Sequence, residues 1–259
     1  MHIDLNCDMG ESFGRYTLGD DPALLEVVTS ANIACGFHAG DPEVMQRTVA
    51  CAVRNDVAVG AHPGYPDLQG FGRRDLTMTP SALKASLIYQ IGALAAFARA
   101  DGTTLAHVKP HGALYNAAAR DSAVAETVAG AVHALDPTLI LVTQPNTPLA
   151  RAARDLGLPV ALEGFADRAY EADGTLHPRS LPGAVLHHPD RIAERAVRMV
   201  AERSVTAYTG ETIPMTIDTL CVHGDTPGAE AIARAVRDAL VQAGVELRPM
   251  PWRREIPEG

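Results

Sequence analysis

Apolar positions along this chain fall into short runs, and between the runs a helical spacing recurs. The first run, "HIDLN", has strand character and ends at Asn6. A polar, glycine-containing "CDMGESFG" follows, then "DDPALLEVV", whose apolar residues return at helical intervals. The succession repeats as "ANIAC", "GFHAGD" and "PEVMQRTVACAVRN", where Asp41 before Pro42 is a good N-cap and first-turn pair. It repeats again as "VAVGAH", a long loop "PGYPDLQGFGRRDLTM", and a helix from "TPSALKASL" to about Arg99. "LAHVK" is the fourth strand. A helix "DSAVAETVAGAVHAL", a strand "LILV", a helix "TPLARAARDLG" and a sixth strand "PVALEG" come next. Residues 165–186 have no clear period. "DRIAERAVRMVAERS" reads as helix, "DTLCVHGD" as a seventh strand with its exit loop, and "PGAEAIARAVRDALVQAG" as the last long helix. "VELRPM" is a candidate closing strand.

Seven or eight strand–helix units without a Pro/Gly/Ser linker predict one domain over residues 1–259. The fold class expected is α/β, a single distorted, TIM-like β/α barrel of seven or eight strands. A doubly wound open sheet is the alternative that the same alternation allows. The chain has 259 residues, 47% of them apolar, which suits one barrel with a sizeable core. A net charge of −9 disfavours nucleic acid as a partner. Cys7, Cys35, Cys51 and Cys221 form no C-x-x-C pair, and most of them read as small buried thiols. The opening "MHIDLNCDMGE" has neither a basic nor an apolar leader region, and no uninterrupted apolar run reaches the roughly 20 residues of a membrane span. A cytoplasmic protein with reduced thiols is expected.

Unusual polar residues gather at the C-terminal ends of the strands, where β/α barrels place their active sites. Asp8 and Glu11 follow strand one; His38 and Asp41 follow strand two; His62, Asp67, Arg73 and Arg74 follow strand three. Lys109, His111 and Asn116 follow strand four; Glu163, Asp167 and Arg168 follow strand six; His223 and Asp225 follow strand seven. Each alone is explained by a strand exit or a helix cap. Their accumulation at one end points to a shared pocket. The chain lacks a G-x-x-x-x-G-K-[ST] loop, a strand-linked G-x-G-x-x-G and H-E-x-x-H. Carboxylate and histidine acid–base chemistry, or a divalent metal held by His and Asp, both remain open. The long third loop, residues 63–78, reads either as a mobile cover over the mouth that helps exclude water or as a rigid loop.

"DLNCDMGESFG", "NIACGFHAGDP", "GAHPGYPDLQGFGRR", "VKPHGALYN", "EGFADRAY" and "VHGD", in this order, closely resemble the LamB/YcsF family from Asp4 to Asp225. The resemblance implies a barrel related to the glycoside hydrolase/deacetylase group, often with seven strands. It implies the A subunit of a three-component, ATP-dependent 5-oxoprolinase, which turns 5-oxo-L-proline, ATP and water into L-glutamate, ADP and phosphate. The implied partners are the two other subunits, B and C, and the implied co-substrate is ATP with Mg²⁺. On that reading Asp8, Glu11, His38, His62, Lys109 and His111 are the catalytic candidates. Arg73, Asn116, Glu163, Arg168, His223 and Asp225 are candidates for substrate or phosphate contacts, and Tyr65, Phe71 and Tyr115 for partner contacts. Deacetylases of that group hold a metal with an aspartate after strand one and an H-x-x-x-H pair after strand two. No such pair follows strand two here, and a metal, if bound, is expected on Asp8, His38 and His62. The alternative functions are a stand-alone metal-dependent deacetylase or amidohydrolase acting on a carbohydrate or small amide, and a non-catalytic substrate-binding scaffold.

Overall fold

A computed structural model describes residues 1–179, 181–223 and 228–250. Strand β1 (His2–Met9) shows how the sequence makes a barrel with a polar interior. Side chains alternate along a strand. Ile3, Leu5, Cys7 and Met9 lie in the apolar core. Asp4, Asn6 and Asp8 point the other way, into the barrel, and bond to residues of the strands around it.

Six more parallel strands complete the wall: β2 (Ser30–Ala34), β3 (Ala58–His62), β4 (His107–Val108), β5 (Ile140–Thr143), β6 (Val160–Phe165) and β9 (Thr219–His223). β6 pairs with β9, and β9 returns to β1, so the sheet closes on itself with seven strands. The register sets Asp8 beside Asn32 on one side and beside position 223 on the other. An antiparallel hairpin, β7 (Ser204–Thr206) and β8 (Thr212–Pro214), lies between β6 and β9 in the chain. β10 (Glu246–Leu247) pairs only with the start of β1, at His2 and Ile3. "VELRPM" therefore makes a short flanking strand, and no eighth stave, because β9 already occupies the second edge of β1.

Around the strands run α1 (Asp21–Leu25), α2 (Pro42–Arg54), α3 (Pro80–Ala100), α4 (Gly112–Ala118), α5 (Ser122–Leu135), α6 (Pro148–Asp155), α7 (Pro189–Ala201) and α8 (Ala229–Gln242). The Asp41 carboxylate accepts from the Val44 N–H at 2.9 Å and Pro42 opens α2, as the sequence predicts. Val44, Met45, Val49 and Ala52 form the buried side of that helix, each large apolar side chain contributing about 1.5–3 kcal/mol on burial. By length and composition α3, with 21 residues, is apolar enough to cross a membrane. In this fold it lays Leu83, Leu87, Ile91 and Leu94 on the core. α4 and the β7–β8 hairpin are elements that the apolar pattern does not predict.

Candidate functional site

The strand β4 is only two residues long, and its continuation delivers Lys109 to the barrel axis. The Lys109 N–H still donates to the Ala61 carbonyl at 2.9 Å, which keeps this segment in the wall. The ammonium lies 2.7 Å from Glu163 Oε1 and 2.9 Å from Asp8 Oδ1, with Cys221 Sγ at 3.2 Å. Lys109 is only 2% exposed. Burial by itself would push its pKa down, but the surrounding groups, Asp8 foremost and Glu163 among them, hold it well above the ordinary value. The lysine is thus a fixed positive charge at neutral pH. Burial raises the Cys221 thiol well above its ordinary value, so its sulfur is a neutral neighbour.

A second layer holds this centre still. Tyr115 Oη donates to Glu163 Oε2 at 2.7 Å, and Asn6 Nδ2 to Glu163 Oε1 at 3.1 Å. Asn32 Nδ2 donates to both Asp8 Oδ1 (2.8 Å) and Asn6 Oδ1 (2.7 Å). His107 Nε2 lies 2.7 Å from Asn32 Oδ1 and donates to it. Burial, then the Lys109 charge, push the His107 pKa down to about 3, so this ring is neutral.

Beside Asp8 and toward the mouth sits a cluster of imidazoles. His62 ends β3, His38 comes from the loop after β2, His111 is the N-cap position of α4, and Glu11 follows β1. Donor atoms of these four buried side chains all lie within 4.8 Å of one another. His62 Nε2 is 2.9 Å from His111 Nδ1 and 3.4 Å from Asp8 Oδ2. Glu11 Oε1 is 3.4 Å from His38 Nε2 and 3.6 Å from His111 Nδ1. The His38 and His111 rings stack at 3.7 Å, 5° from parallel. Burial, followed by the neighbouring imidazoles, holds the His38 pKa well below the ordinary value and lowers that of His111 to about 3.

The loop after β3 forms one wall of this cluster. Its Phe71 carbonyl accepts from His111 Nε2 at 2.8 Å, and the Gly72 carbonyl accepts from the Ala113 N–H at 2.9 Å. Asp67 and Arg74 pair within the loop and fix its turn. Two glycines let it approach. A Cβ on Gly64 would lie 2.8 Å from His38 Nδ1; one on Gly72 would lie 2.7 Å from His38 Cβ and 2.8 Å from His111 Cδ2. This loop is therefore part of the site itself, as backbone touching the imidazoles.

The structure brings all six catalytic candidates together: Asp8, Glu11, His38, His62, Lys109 and His111. The remaining candidates divide. Glu163 is fully buried beneath Lys109, so the expected substrate contact is replaced by an ion pair. Arg168 is also buried and donates to the carbonyls of Ala184 and His177, building the loop after β6. Burial, then Arg179 and more weakly Arg73, lower its pKa to about 10. Arg73 is exposed, with its guanidinium 4.9 Å over the Phe71 ring. Asn116 is exposed on α4, with no hydrogen bond to the cluster. The side chain of His223 and all of Asp225 lie outside the described residues. Tyr65 and Tyr115 are buried within this chain and offer no surface to a partner. The chain does contain one H-x-x-x-H, His107 to His111, but its two rings serve different layers.

Sequence reasoning missed Asn6, Asn32 and His107. Their signal was the polar beat within "HIDLNCDM", "SANIA" and "HVK", where alternate strand positions are polar although the strand is buried.

Fold and site together define a closed β/α barrel whose mouth carries a buried lysine–carboxylate centre beside a histidine cluster. Residues 3–255 match the LamB/YcsF family, and the chain belongs to it. It is 54% identical over 250 residues to a protein of Syntrophobacter fumaroxidans named as the A subunit of 5-oxoprolinase, covering 96% of this chain and 99% of that one. It is 56% identical over 245 residues to the protein of the same name from Symbiobacterium thermophilum, covering 95% and 94%. Among solved structures, the lactam utilization protein of Thermus thermophilus is similar with a TM-score of 0.92 and 51% identity, covering 96% of this chain and 99% of that one.

Proposed function

We propose that this chain is the A subunit of an ATP-dependent 5-oxoprolinase and works with the B and C subunits on 5-oxo-L-proline, with ATP and Mg²⁺ as co-substrate. The observation that carries the reading is the Lys109–Asp8 pair at the barrel mouth, in a chain more than half identical to proteins of that name along nearly its whole length.

An unstrained lactam hydrolyses slowly. Transfer of the γ-phosphoryl group to the lactam oxygen, with ADP leaving, makes the ring carbon an electrophile for water. Asp8 is the most exposed of the three central carboxylates, at 14% against 5% for Glu11 and 0% for Glu163. It is the carboxylate that water reaches, and it takes the proton of the attacking water. Lys109 stands as a preorganised positive charge beside the charge that develops there. The ring nitrogen leaves as the amine with a proton, and a second water hydrolyses the resulting acyl phosphate to glutamate and phosphate. Arg73, exposed on the loop that walls the histidine cluster, is the cation suited to anionic groups of the substrate or the phosphate, while Arg168 shapes the loop after β6.

The test is to measure ADP and glutamate from 5-oxoproline with this chain alone, with each partner, and with both. The full set is expected to release both products, and this chain alone neither. Full-rate release of both by the isolated chain would overturn the need for partners. The histidine cluster favours one second reading, a metal-dependent amidohydrolase, and ring opening by the isolated chain without ATP would support that reading instead.

A further inference from the structure

Two imidazoles at the mouth are locked so that one ring nitrogen of each faces the other. His62 Nδ1 lies 2.7 Å from the Lys109 carbonyl, and His111 Nε2 lies 2.8 Å from the Phe71 carbonyl. A carbonyl oxygen only accepts, so both of these nitrogens carry hydrogen. The nitrogens left facing each other are then His62 Nε2 and His111 Nδ1, which are 2.9 Å apart. No hydrogen bond joins two lone pairs. A shared proton or a metal ion between them resolves the contact, and the convergence of Glu11 Oε1 and His38 on the same point favours the metal.

We infer that Glu11, His38, His62 and His111 form a binding site for one divalent transition-metal ion of the zinc class. Three imidazole nitrogens and one carboxylate are donors that suit zinc or cobalt and do not suit magnesium or calcium. A tetrahedral ion with bonds of about 2.0–2.1 Å has edges of about 3.3–3.4 Å between its ligands. Three of the six separations in the cluster, 2.9, 3.4 and 3.6 Å, bracket that edge, and all six lie within 4.8 Å. The backbone carbonyls behind His62 and His111 are the outer partners that metal-bound histidines use to fix their tautomer. Gly64 and Gly72 leave room for the rings to meet, as the contacts of an added Cβ show. This set differs from the Asp8, His38 and His62 expected from the sequence: Glu11 and His111 join His38 and His62, while Asp8 Oδ1 is held by Lys109 and Asn32 and Oδ2 lies 3.4 Å from His62 Nε2. A metal held here supplies Lewis-acid polarisation of a carbonyl or of water next to Asp8.

The experiment loads the untagged, metal-stripped chain with cobalt(II) or zinc and reads three quantities: bound metal per chain by elemental analysis, the visible spectrum of the cobalt form, and Tm. One equivalent per chain, the intense visible bands of tetrahedral cobalt, and a metal-dependent rise in Tm are expected. Glu11→Gln keeps the shape of the side chain and His62→Ala removes a ligand. Either should weaken cobalt binding about 100-fold or more while circular dichroism of the metal-free chain stays unchanged. Absence of uptake by the parent chain overturns the site, and so does uptake that both variants leave unchanged. The two readings fail separately: metal uptake is read without lactam or nucleotide, and the 5-oxoprolinase reading is decided by the ATP and partner assay, where ring opening by the metal-loaded chain without ATP would favour the amidohydrolase.

Discussion

At the scale of single residues, the centre of the molecule is an electrostatic arrangement made from side chains that are individually costly to bury. Removing one partner leaves the other charges stranded. Lys109→Met abandons Asp8 and Glu163, and should cost about 3–5 kcal/mol by urea unfolding. It should also lower glutamate release by the assembled enzyme about 100-fold or more. Adding Glu163→Gln to that variant should return part of the stability and none of the activity. Equal stability of the parent and the Lys109→Met chain would show that the pair contributes nothing to folding. Asp4 offers a separate test at the opposite end of β1. It accepts from Ser30, Thr29 and Thr219, yet burial, the larger effect, raises its pKa from 3.8 to about 6. A raised carboxyl pKa means that the folded state holds the proton more tightly. The stability this provides is complete below pH 3.8 and is lost as pH rises through 6. Relative to Asp4→Asn, the parent should therefore lose about 2 kcal/mol between pH 4 and pH 7. Parallel stability curves over that range would refute this assignment.

At the scale of elements, close approach decides more than propensity does. Gly60 on β3 faces the His107 ring, and a Cβ there would fall 2.0 Å from the ring nitrogen. Nothing in that layer can retreat, because His107 is held by Asn32 on the next strand. Gly60→Ala should lower stability by at least the 1–3 kcal/mol or so typical of overpacking, read as a fall in Tm. Gly92→Ala, on α3 with no atom within 4 Å of the added carbon, is the control and should not lower it. The elements also show what was legible in advance. Long periodic helices such as α2 and α8 matched the apolar pattern to within a few residues at each end, because one face of each packs on the barrel. α4 escaped notice since its seven residues begin at Gly112 and follow a proline, so turn chemistry masked the helix. The β7–β8 hairpin is three residues on each side, too short for alternation to register. The candidate site was legible as a set of strand-end residues. What each residue does was not, because burial separates Glu163 from Asp8 and leaves Asn116 outside, and no one-dimensional pattern carries depth.

At the scale of the whole molecule, the barrel closes by bringing the last strand of the wall to the first. Asp4 pairs with Thr219, and β10 and the Met250 N–H then settle against the same end of β1. This closure has a consequence for the protein as it is made. A chain emerging from the ribosome presents β1 first, with the edge that takes β9 unpaired and with Asp4 and Asn6 lacking Thr219, until almost all the rest has been synthesised. Such late, distant pairing slows folding and leaves an edge open to wrong partners. Stalled chains ending before residue 219 should remain sensitive to protease and bound to chaperones. Chains stalled with the segment through residue 250 free of the ribosome should become resistant. Early resistance in the shorter chains would mean that a partial barrel is stable without its final strand.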